Sequence, residues 1–253
     1  LTEMHLSRLR KISNRIIIAF DADSAGIAAA DRSARLALSL GIEVKIASLP
    51  KGSDPADLIK ANPKAAFAIM SIAIGHIAMV SVMVMTPVHM AHVDVTLTII
   101  GLVISIHVLG MYAFSPIVGS LSDRLGRVKV IQIGVATLLL STLISGLAAA
   151  DDAVMLGVGL FLLGLGWSCT LIAGSALLSE SVDPTFKASS QGASDLVMNL
   201  SGAAGGALAG VIIGTLSYGW LCFFAAVPGL ALGVMSLRFK SMPNQSNEIN
   251  LPL

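Results

Sequence analysis

Two carboxylates follow the first continuous apolar run of the chain. The run occupies residues 16–20, and Asp21 and Asp23 come directly after it. Such a run is typical of a buried parallel strand, and ligands bind at the carboxyl ends of these strands. Carboxylates two residues apart can point to the same side and share a Mg²⁺ ion. The spacing therefore indicates a candidate Mg²⁺ site, the alternative being that both acids are only solvated.

A second group of charges separates two long apolar runs, at residues 119–129. Its glycines and charged residues are Gly119, Asp123, Arg124, Gly126, Arg127 and Lys129. Glycine permits a tight reversal of the chain, and a guanidinium binds a carboxylate or the carbonyl groups at a helix end. Because this polar stretch lies between runs of membrane length, we predict a loop at a membrane–water interface. Its cations predict the cytoplasmic interface.

Asp195 and His107 are titratable side chains that lie within apolar runs. A charged side chain such as that of Asp195 costs free energy at membrane depth, so one hypothesis is that Asp195 takes part in proton coupling. The alternative, which we favour, is that a helix begins near Asp195 and the acid caps it at the cytoplasmic interface. His107 lies deeper in its run, and we expect it to hydrogen-bond to another helix. A role of His107 in proton or substrate binding is the alternative.

The distribution of charge divides the chain into two parts. Hydrophobic residues make up 55% of the chain and charged residues 12%, which is far from the composition of a soluble protein. Ten of the 16 Lys and Arg residues precede Phe67. We predict a small cytoplasmic α/β segment at residues 1–66, a mainly α-helical membrane domain at 69–240 and a polar tail at 241–253. The net charge of +1 indicates no nucleic-acid partner.

Six runs in the second part are long enough to cross a bilayer, which takes about 20 apolar residues per helix. The predicted spans are residues 69–90, 97–118, 130–147, 153–178, 195–216 and 220–237. The segments after spans two, four and six contain six Lys and Arg residues, whereas those after spans one, three and five contain none. This distribution predicts a multi-pass protein of the cell membrane with both termini in the cytoplasm.

The first part is predicted to form one β-α-β unit. Its strands are expected at residues 16–20 and 44–49, with a helix at 24–40 that ends at Gly41. A unit of this size lacks the strands needed to bury both faces of its sheet, so we expect it to be incomplete. The chain begins with Leu1 rather than Met, from which we expect an incomplete or processed reading frame.

The pattern G-x-x-x-D-R-x-G-R-x-K at residues 119–129 resembles the signature loop of the major facilitator superfamily of secondary transporters. Residues 83–90 and 163–168 resemble the seventh and tenth spans of bacterial members. The resemblance implies the C-terminal, six-span half of a transporter that works by alternating access without a cofactor. Asp123 and the nearby cations would then hold the cytoplasmic ends of the helices together. The implied partners are the lipid bilayer, an unknown small solute, protons and a missing N-terminal half.

Residues 20–26 and 49–60 resemble the second half of the Toprim domain of bacterial primases. The resemblance implies Mg²⁺ at Asp21 and Asp23, with Asp57 nearby. The strand that carries the catalytic glutamate of that family is missing, and Glu3 lies in a helix-like segment. We therefore expect no primer synthesis and no enzyme activity.

Two alternatives to transport remain open from the sequence. The first is Mg²⁺-dependent nucleotidyl transfer by the Toprim-like segment, against which the missing glutamate strand argues. The second is a non-functional chimera of two unrelated fragments. Secondary transport of a small solute is the function that the sequence favours.

Overall fold

In a computed structural model of the 253-residue chain, residues 6–7, 10, 15–19, 24–47 and 62–239 are described. The chain divides into two compact units, Leu1–Ala61 and Asn62–Leu253. Each unit has a hydrophobic core of its own. The predicted polar tail at residues 241–253 lies outside the described residues.

The described residues of the first unit include two parallel strands and a helix. These elements are β1 (Arg15–Ala19), α1 (Ser24–Ser39) and β2 (Glu43–Ala47). The two strands are hydrogen-bonded in register from one end to the other. Gly41 follows α1 with a φ of +71°, a left-handed conformation that favours glycine, and it turns the chain toward β2. Leu6, Ala37 and Ile42 form the small buried core of this unit.

The second unit contains the six helical spans that the sequence predicts. Its helices are α2 (Pro63–Ala91), α3 (Leu97–Tyr112), α4 (Ser115–Leu125), α5 (Arg127–Leu147), α6 (Ala153–Ser181), α7 (Lys187–Thr215) and α8 (Tyr218–Ser236). Short 3₁₀ helices precede α7 and follow α8, at Pro184–Phe186 and Leu237–Phe239. Helices α3 and α4 together form the second span. All six spans are long and apolar enough to cross a bilayer, so the predicted number is confirmed.

Several predicted boundaries are wrong, and the first span begins at Pro63 rather than at residue 69. The sequence predicts a loop over residues 119–129, yet α4 continues to Leu125 and only Gly126 separates it from α5. Gly126 has a φ of +91°, so a single residue without a Cβ is enough to interrupt the helix. The fifth span begins at Lys187 rather than Asp195, because the small and polar residues before Asp195 form two further helical turns.

Helix α6 packs against α2, α3 and α5, and its glycines make these contacts close. A Cβ at Gly164 would lie 2.9 Å from the backbone nitrogen of Met111 in α3. A Cβ at Gly166 would lie 3.0 Å from the carbonyl oxygen of Gly134 in α5. In lipid, helices associate through close packing of this kind, because the acyl chains are as apolar as the side chains. The glycines of α6 therefore bring its side chains within reach of three neighbouring helices.

Helix α7 leaves most of its surface uncovered within the second unit. Only 17% of its most apolar stretch is buried, compared with 61% for α6. Its covered face packs on α2, where Gly202 and Gly205 lie against His76 and Ser81. The remaining surface of α7 is available to lipid or to further protein.

Candidate functional site

Arg127, the first residue of α5, connects three helices through its guanidinium. Nη1 donates to Asp123 Oδ1 of α4 at 2.5 Å, and Nε and Nη2 donate to Glu180 Oε1 of α6 at 3.0 and 2.8 Å. Nη1 also donates to Ser122 Oγ at 3.1 Å. The planar fork of donors in arginine suits this double contact. We call Asp123, Arg127 and Glu180 the ion-pair cluster.

The two acids of the ion-pair cluster are exposed. Their side chains are 68% and 52% accessible for Asp123 and Glu180, whereas that of Arg127 is 21% accessible. Exposed ion pairs contribute about 0.2–1 kcal/mol each and are screened by salt. The cluster can therefore hold the ends of α4, α5 and α6 together and release them at small cost.

The structure brings together two of the six predicted signature residues, Asp123 and Arg127. Gly126 provides the break between α4 and α5. The other three lie on helix surfaces: a Cβ at Gly119 would meet open space, and Arg124 and Lys129 are exposed. The charge pairing thus centres on Arg127.

Glu180 is the member of the cluster that sequence reasoning missed. It lies near the end of the fourth span, in a segment where the topology prediction uses only Lys and Arg. A usable signal was present, because an acid at the end of an apolar run falls on the same side of the bundle as Arg127. The alternating direction of the spans therefore predicts that the two can meet.

Asp195 lies in the third turn of α7 and is exposed. Gln191 Nε2 donates to its Oδ1 at 3.2 Å, and Asn199 Nδ2 donates to its carbonyl oxygen at 2.7 Å. The favoured prediction that Asp195 caps its helix is wrong, because α7 begins at Lys187, about 12 Å earlier at ~1.5 Å per residue. A role of Asp195 in proton coupling stays a prediction.

His107 is fully buried in α3 and contacts α6. Its Nδ1 lies 2.8 Å from the carbonyl oxygen of Leu160, so Nδ1 carries the proton and donates it. The expected hydrogen bond to another helix is therefore present. Within residues 62–239, His107 Nε2 is a buried nitrogen without a hydrogen-bond partner. A role of His107 in transport stays a prediction.

A group of three rings lies at the middle of the spans, and sequence reasoning did not single it out. Trp167 Nε1 of α6 donates to His76 Nδ1 of α2 at 3.1 Å. Tyr112, the last residue of α3, meets Trp167 edge to face with 6.1 Å between ring centres. Only proximity in the fold reveals this set, because its members come from three different spans. We call His76, Tyr112 and Trp167 the ring group.

The end of the bundle opposite the ion-pair cluster is joined by an uncharged contact. The Tyr218 hydroxyl of α8 lies 2.7 Å from Thr86 Oγ1 of α2, and His89 stacks on the Tyr218 ring with 4.3 Å between centres. Thr86 uses its own hydroxyl proton on the Val82 carbonyl, so Tyr218 is the donor to Thr86. We call Thr86, His89 and Tyr218 the tyrosine cluster.

The candidate Mg²⁺ ligands Asp21, Asp23 and Asp57 lie outside the described residues. Among the residues that are described, no group of three or more His, Cys, Asp or Glu side chains is placed to hold a metal ion. Mg²⁺ binding at the three acids stays a prediction.

Comparison with known proteins identifies the second unit. A family model described as Major Facilitator Superfamily matches residues 66–253, well over half of the chain. The chain belongs to the major facilitator superfamily. Together with the six membrane-length helices, this membership makes it a multi-pass membrane protein. A second family model, described as Toprim-like, matches residues 1–59.

Individual relatives also fall into two groups, because some are transporters and others are DNA primases. An uncharacterized MFS-type transporter, YddS of Bacillus subtilis, is 42% identical over 159 residues, covering 63% of this chain and 36% of YddS. A riboflavin transporter, RfnT of Brucella anthropi, is 30% identical over 178 residues, covering 68% of this chain and 44% of RfnT. The DNA primase of Campylobacter jejuni is 45% identical over 62 residues, covering 24% of this chain and 10% of the primase. The chain thus spans less than half the length of each of these relatives.

Proposed function

We propose that this chain carries out secondary active transport of a small solute by alternating access, with its six helices forming one half of the transport path. Membership of the major facilitator superfamily supports this proposal. The observation that carries it is Arg127, which bridges Asp123 of α4 and Glu180 of α6 through exposed and separable ion pairs. Such pairs suit helix ends that meet in one state and part in another.

The partner in this proposal is a second six-helix bundle. The chain spans less than half of its transporter relatives, and α7 leaves most of its surface uncovered. A second bundle beside the exposed helices would enclose a path that six helices leave open. The bilayer surrounds both bundles, and coupling to protons through Asp195 or His107 is part of the proposal.

The ion-pair cluster is proposed to lie on the cytoplasmic side, with both termini. The six Lys and Arg residues of the second part that follow even-numbered spans support this orientation. We propose that the chain acts as a transporter rather than as an enzyme, and its membership of the major facilitator superfamily supports this.

Riboflavin is the substrate to test first, because one transporter relative is a riboflavin transporter. The full chain is reconstituted in proteoliposomes, and uptake of radiolabelled riboflavin is measured with and without a proton gradient. Saturable uptake driven by the gradient is expected. Asp123→Ala is expected to lower the rate roughly twofold and Arg127→Gln roughly fivefold, since one and two exposed ion pairs of about 0.5 kcal/mol each are lost.

Lys129→Gln is the matched control, because it removes an exposed cation two residues from Arg127 and leaves the ion-pair cluster intact. It is expected to transport at the wild-type rate. Absence of saturable uptake by the wild type contradicts transport of riboflavin by copies of this chain. Equal losses in Lys129→Gln and Arg127→Gln contradict the role of the cluster.

A further inference from the structure

The two least covered spans lie at opposite edges of the membrane domain. In the second span, formed by α3 and α4, 28% of the most apolar stretch is buried, and in α7 17% is buried. Helix α3 packs on α6, α6 packs on α2, and α2 packs on α7. Helices α5 and α8, which pack on each other, cover the inner helices α6 and α2 from one side. The row α3–α6–α2–α7 therefore ends in an uncovered helix at each edge.

Both uncovered helices expose a polar side chain near the middle of the membrane. Tyr112 of α3 is 59% exposed, and Asn199 of α7 is also exposed. Tyr112 lies 13 residues from Leu125, where its span ends on the side of the ion-pair cluster. Asn199 lies 12 residues from Lys187, where its span begins on that same side. At about 1.5 Å per residue, the two side chains therefore lie at nearly the same depth.

Acyl chains are a poor environment for these two side chains, because a hydroxyl or an amide that faces lipid loses its hydrogen bonds to water. Asn199 Nδ2 donates to the carbonyl oxygen of Asp195 at 2.7 Å, and the amide oxygen of Asn199 can accept a further hydrogen bond. The hydroxyl of Tyr112 can donate one. The two groups are complementary, yet within one copy of the chain they lie at opposite edges of the row.

A glycine lies on the same exposed face of each of these helices. Gly101 precedes Tyr112 by 11 residues and Gly210 follows Asn199 by 11 residues, which is three helical turns in each case. A Cβ at Gly101 would meet nothing within 4 Å, and a Cβ at Gly210 would lie 3.8 Å from Met85 Cε. Packing within the chain therefore requires neither glycine. Close approach of another helix is what glycine permits in lipid.

The two glycines also match in depth. Gly101 lies 24 residues from Leu125, and Gly210 lies 23 residues from Lys187. The offset of one residue is the same as that between Tyr112 and Asn199. A helix α3 placed against a helix α7 thus meets it with glycine facing glycine and with a hydroxyl facing an amide.

A two-fold axis along the membrane normal produces this contact between two copies of the chain. Such an axis keeps each copy in the same orientation in the membrane, and it relates the two halves of major facilitator transporters. When the uncovered sides of two rows face each other across the axis, α3 of each copy meets α7 of the other. We propose that two copies of this chain associate in this way, with Tyr112 against Asn199 of the partner subunit. The inference rests on the proposed function, of which it identifies the second bundle.

Disulfide cross-linking between two single variants tests the interface. Tyr112→Cys and Asn199→Cys in the full chain carry different affinity tags, are reconstituted together in proteoliposomes and are oxidised with copper phenanthroline. A cross-linked dimer that contains both tags is expected. Either variant alone is expected to give at least fivefold less cross-linked dimer, because like positions lie on opposite sides of the axis. The native Cys169 and Cys222 are buried and are expected not to cross-link.

Phe223→Cys is the matched control, because Phe223 of α8 is exposed to the same extent, at 57%, on a helix outside the proposed interface. Mixed with Asn199→Cys, it is expected to give no more cross-linked dimer than Asn199→Cys alone. Equal cross-linking of Asn199→Cys with Phe223→Cys and with Tyr112→Cys overturns the proposed interface. A dimer that is linked only through like positions also overturns it.

Energy transfer between fluorescently labelled copies tests the interface without introduced cysteines. Transfer is measured in proteoliposomes as the protein is diluted with lipid, and saturable association of the wild type is expected. Gly210→Leu is expected to weaken association at least tenfold, because the added side chain separates the two helices. Ala231→Leu is the matched control, since Ala231 is an exposed small residue of α8, and it is expected to associate as the wild type does.

Wild-type copies that do not associate in the bilayer overturn the proposal, and so does equal weakening by Gly210→Leu and Ala231→Leu. Association with the expected cross-link but without riboflavin uptake supports the interface and counts against the proposed transport. Uptake by copies that do not associate supports transport and overturns the interface.

Discussion

The two ends of the membrane domain are held by contacts of opposite character. At one end, the ion-pair cluster joins α4, α5 and α6 through charged side chains, and both of its acids are more than half exposed. At the other end, the tyrosine cluster joins α2 and α8 through a neutral hydrogen bond and a stacked ring, and Tyr218 is only 3% exposed. The first contact is screened by salt and is easily replaced by water, whereas the second is shielded from both.

This contrast indicates which end of the bundle separates more readily. Breaking an exposed ion pair returns both charges to water, so the net cost is small. Breaking the Tyr218 contact removes a hydrogen bond that is shielded from water and opens space beside His89, so the cost is larger. We expect opening at the end near Arg127 to be the easier motion, in line with the proposed transport cycle.

The largest effect is expected from Tyr218→Ala, which removes a buried ring together with its hydroxyl. The free energy of unfolding should fall by about 3–5 kcal/mol, as for other buried aromatic truncations. Unfolding of the detergent-solubilised protein, followed by circular dichroism against denaturant, measures this change. Trp220→Ala, two residues away and 52% exposed, is the control and should cost far less. Equal losses at the two positions would contradict the stabilising role that we assign to the Tyr218 contact.

A smaller loss is expected from Tyr218→Phe, which keeps the ring stacked on His89 and removes only the hydroxyl. Because Thr86 retains its 2.7 Å hydrogen bond to the Val82 carbonyl, the cost should be about 1 kcal/mol. The same unfolding experiment at low and high salt should give the same difference, since no charge is involved. A strong dependence on salt would show that the contact is not the neutral one described.

A loss of up to about 1 kcal/mol is expected from Arg127→Gln, and this loss should shrink at high salt. Arg127→Gln and Glu180→Gln combined should cost less than the sum of the single variants, because both remove the same ion pair. A double-mutant cycle in unfolding free energy measures the coupling. Strict additivity would mean that Arg127 and Glu180 do not interact in solution.

The smallest effect is expected from Lys129→Gln, which lies in the signature pattern but outside the ion-pair cluster. Its unfolding free energy and salt dependence should match those of the wild type. A loss equal to that of Arg127→Gln would show that general positive charge, rather than the specific pairing, stabilises this end.

The number of spans was predictable because a membrane helix is specified locally. About 20 consecutive apolar residues can satisfy their backbone hydrogen bonds in lipid only as a helix, whatever the rest of the chain does. The boundaries were less predictable, as at Asp195, because polar residues can extend a helix beyond the apolar run. The single-residue break at Gly126 could not be predicted for a similar reason, since a charged sequence does not distinguish a loop from an interfacial helix.

The candidate site was predictable only in part. Asp123 and Arg127 are four residues apart, and their pairing follows from local spacing. Glu180 is 53 residues from Arg127, and the ring group combines residues from three separate spans. Contacts of this kind depend on which helices are neighbours, and hydrophobicity alone does not determine that.

The sequence by itself determined that the second part of this chain forms six apolar helices, that its cations lie at one end and that it resembles the major facilitator superfamily. Each of these follows from composition or spacing along the chain. Only the tertiary structure decided that Arg127 bridges α4 and α6 and that Tyr218 joins α8 to α2 at the other end. It also decided that the three residues of the ring group lie close together near the middle of their spans. The physical reason is that glycine-mediated packing around α6 brings distant residues to the same depth, and this packing depends on the whole set of helices rather than on any one of them.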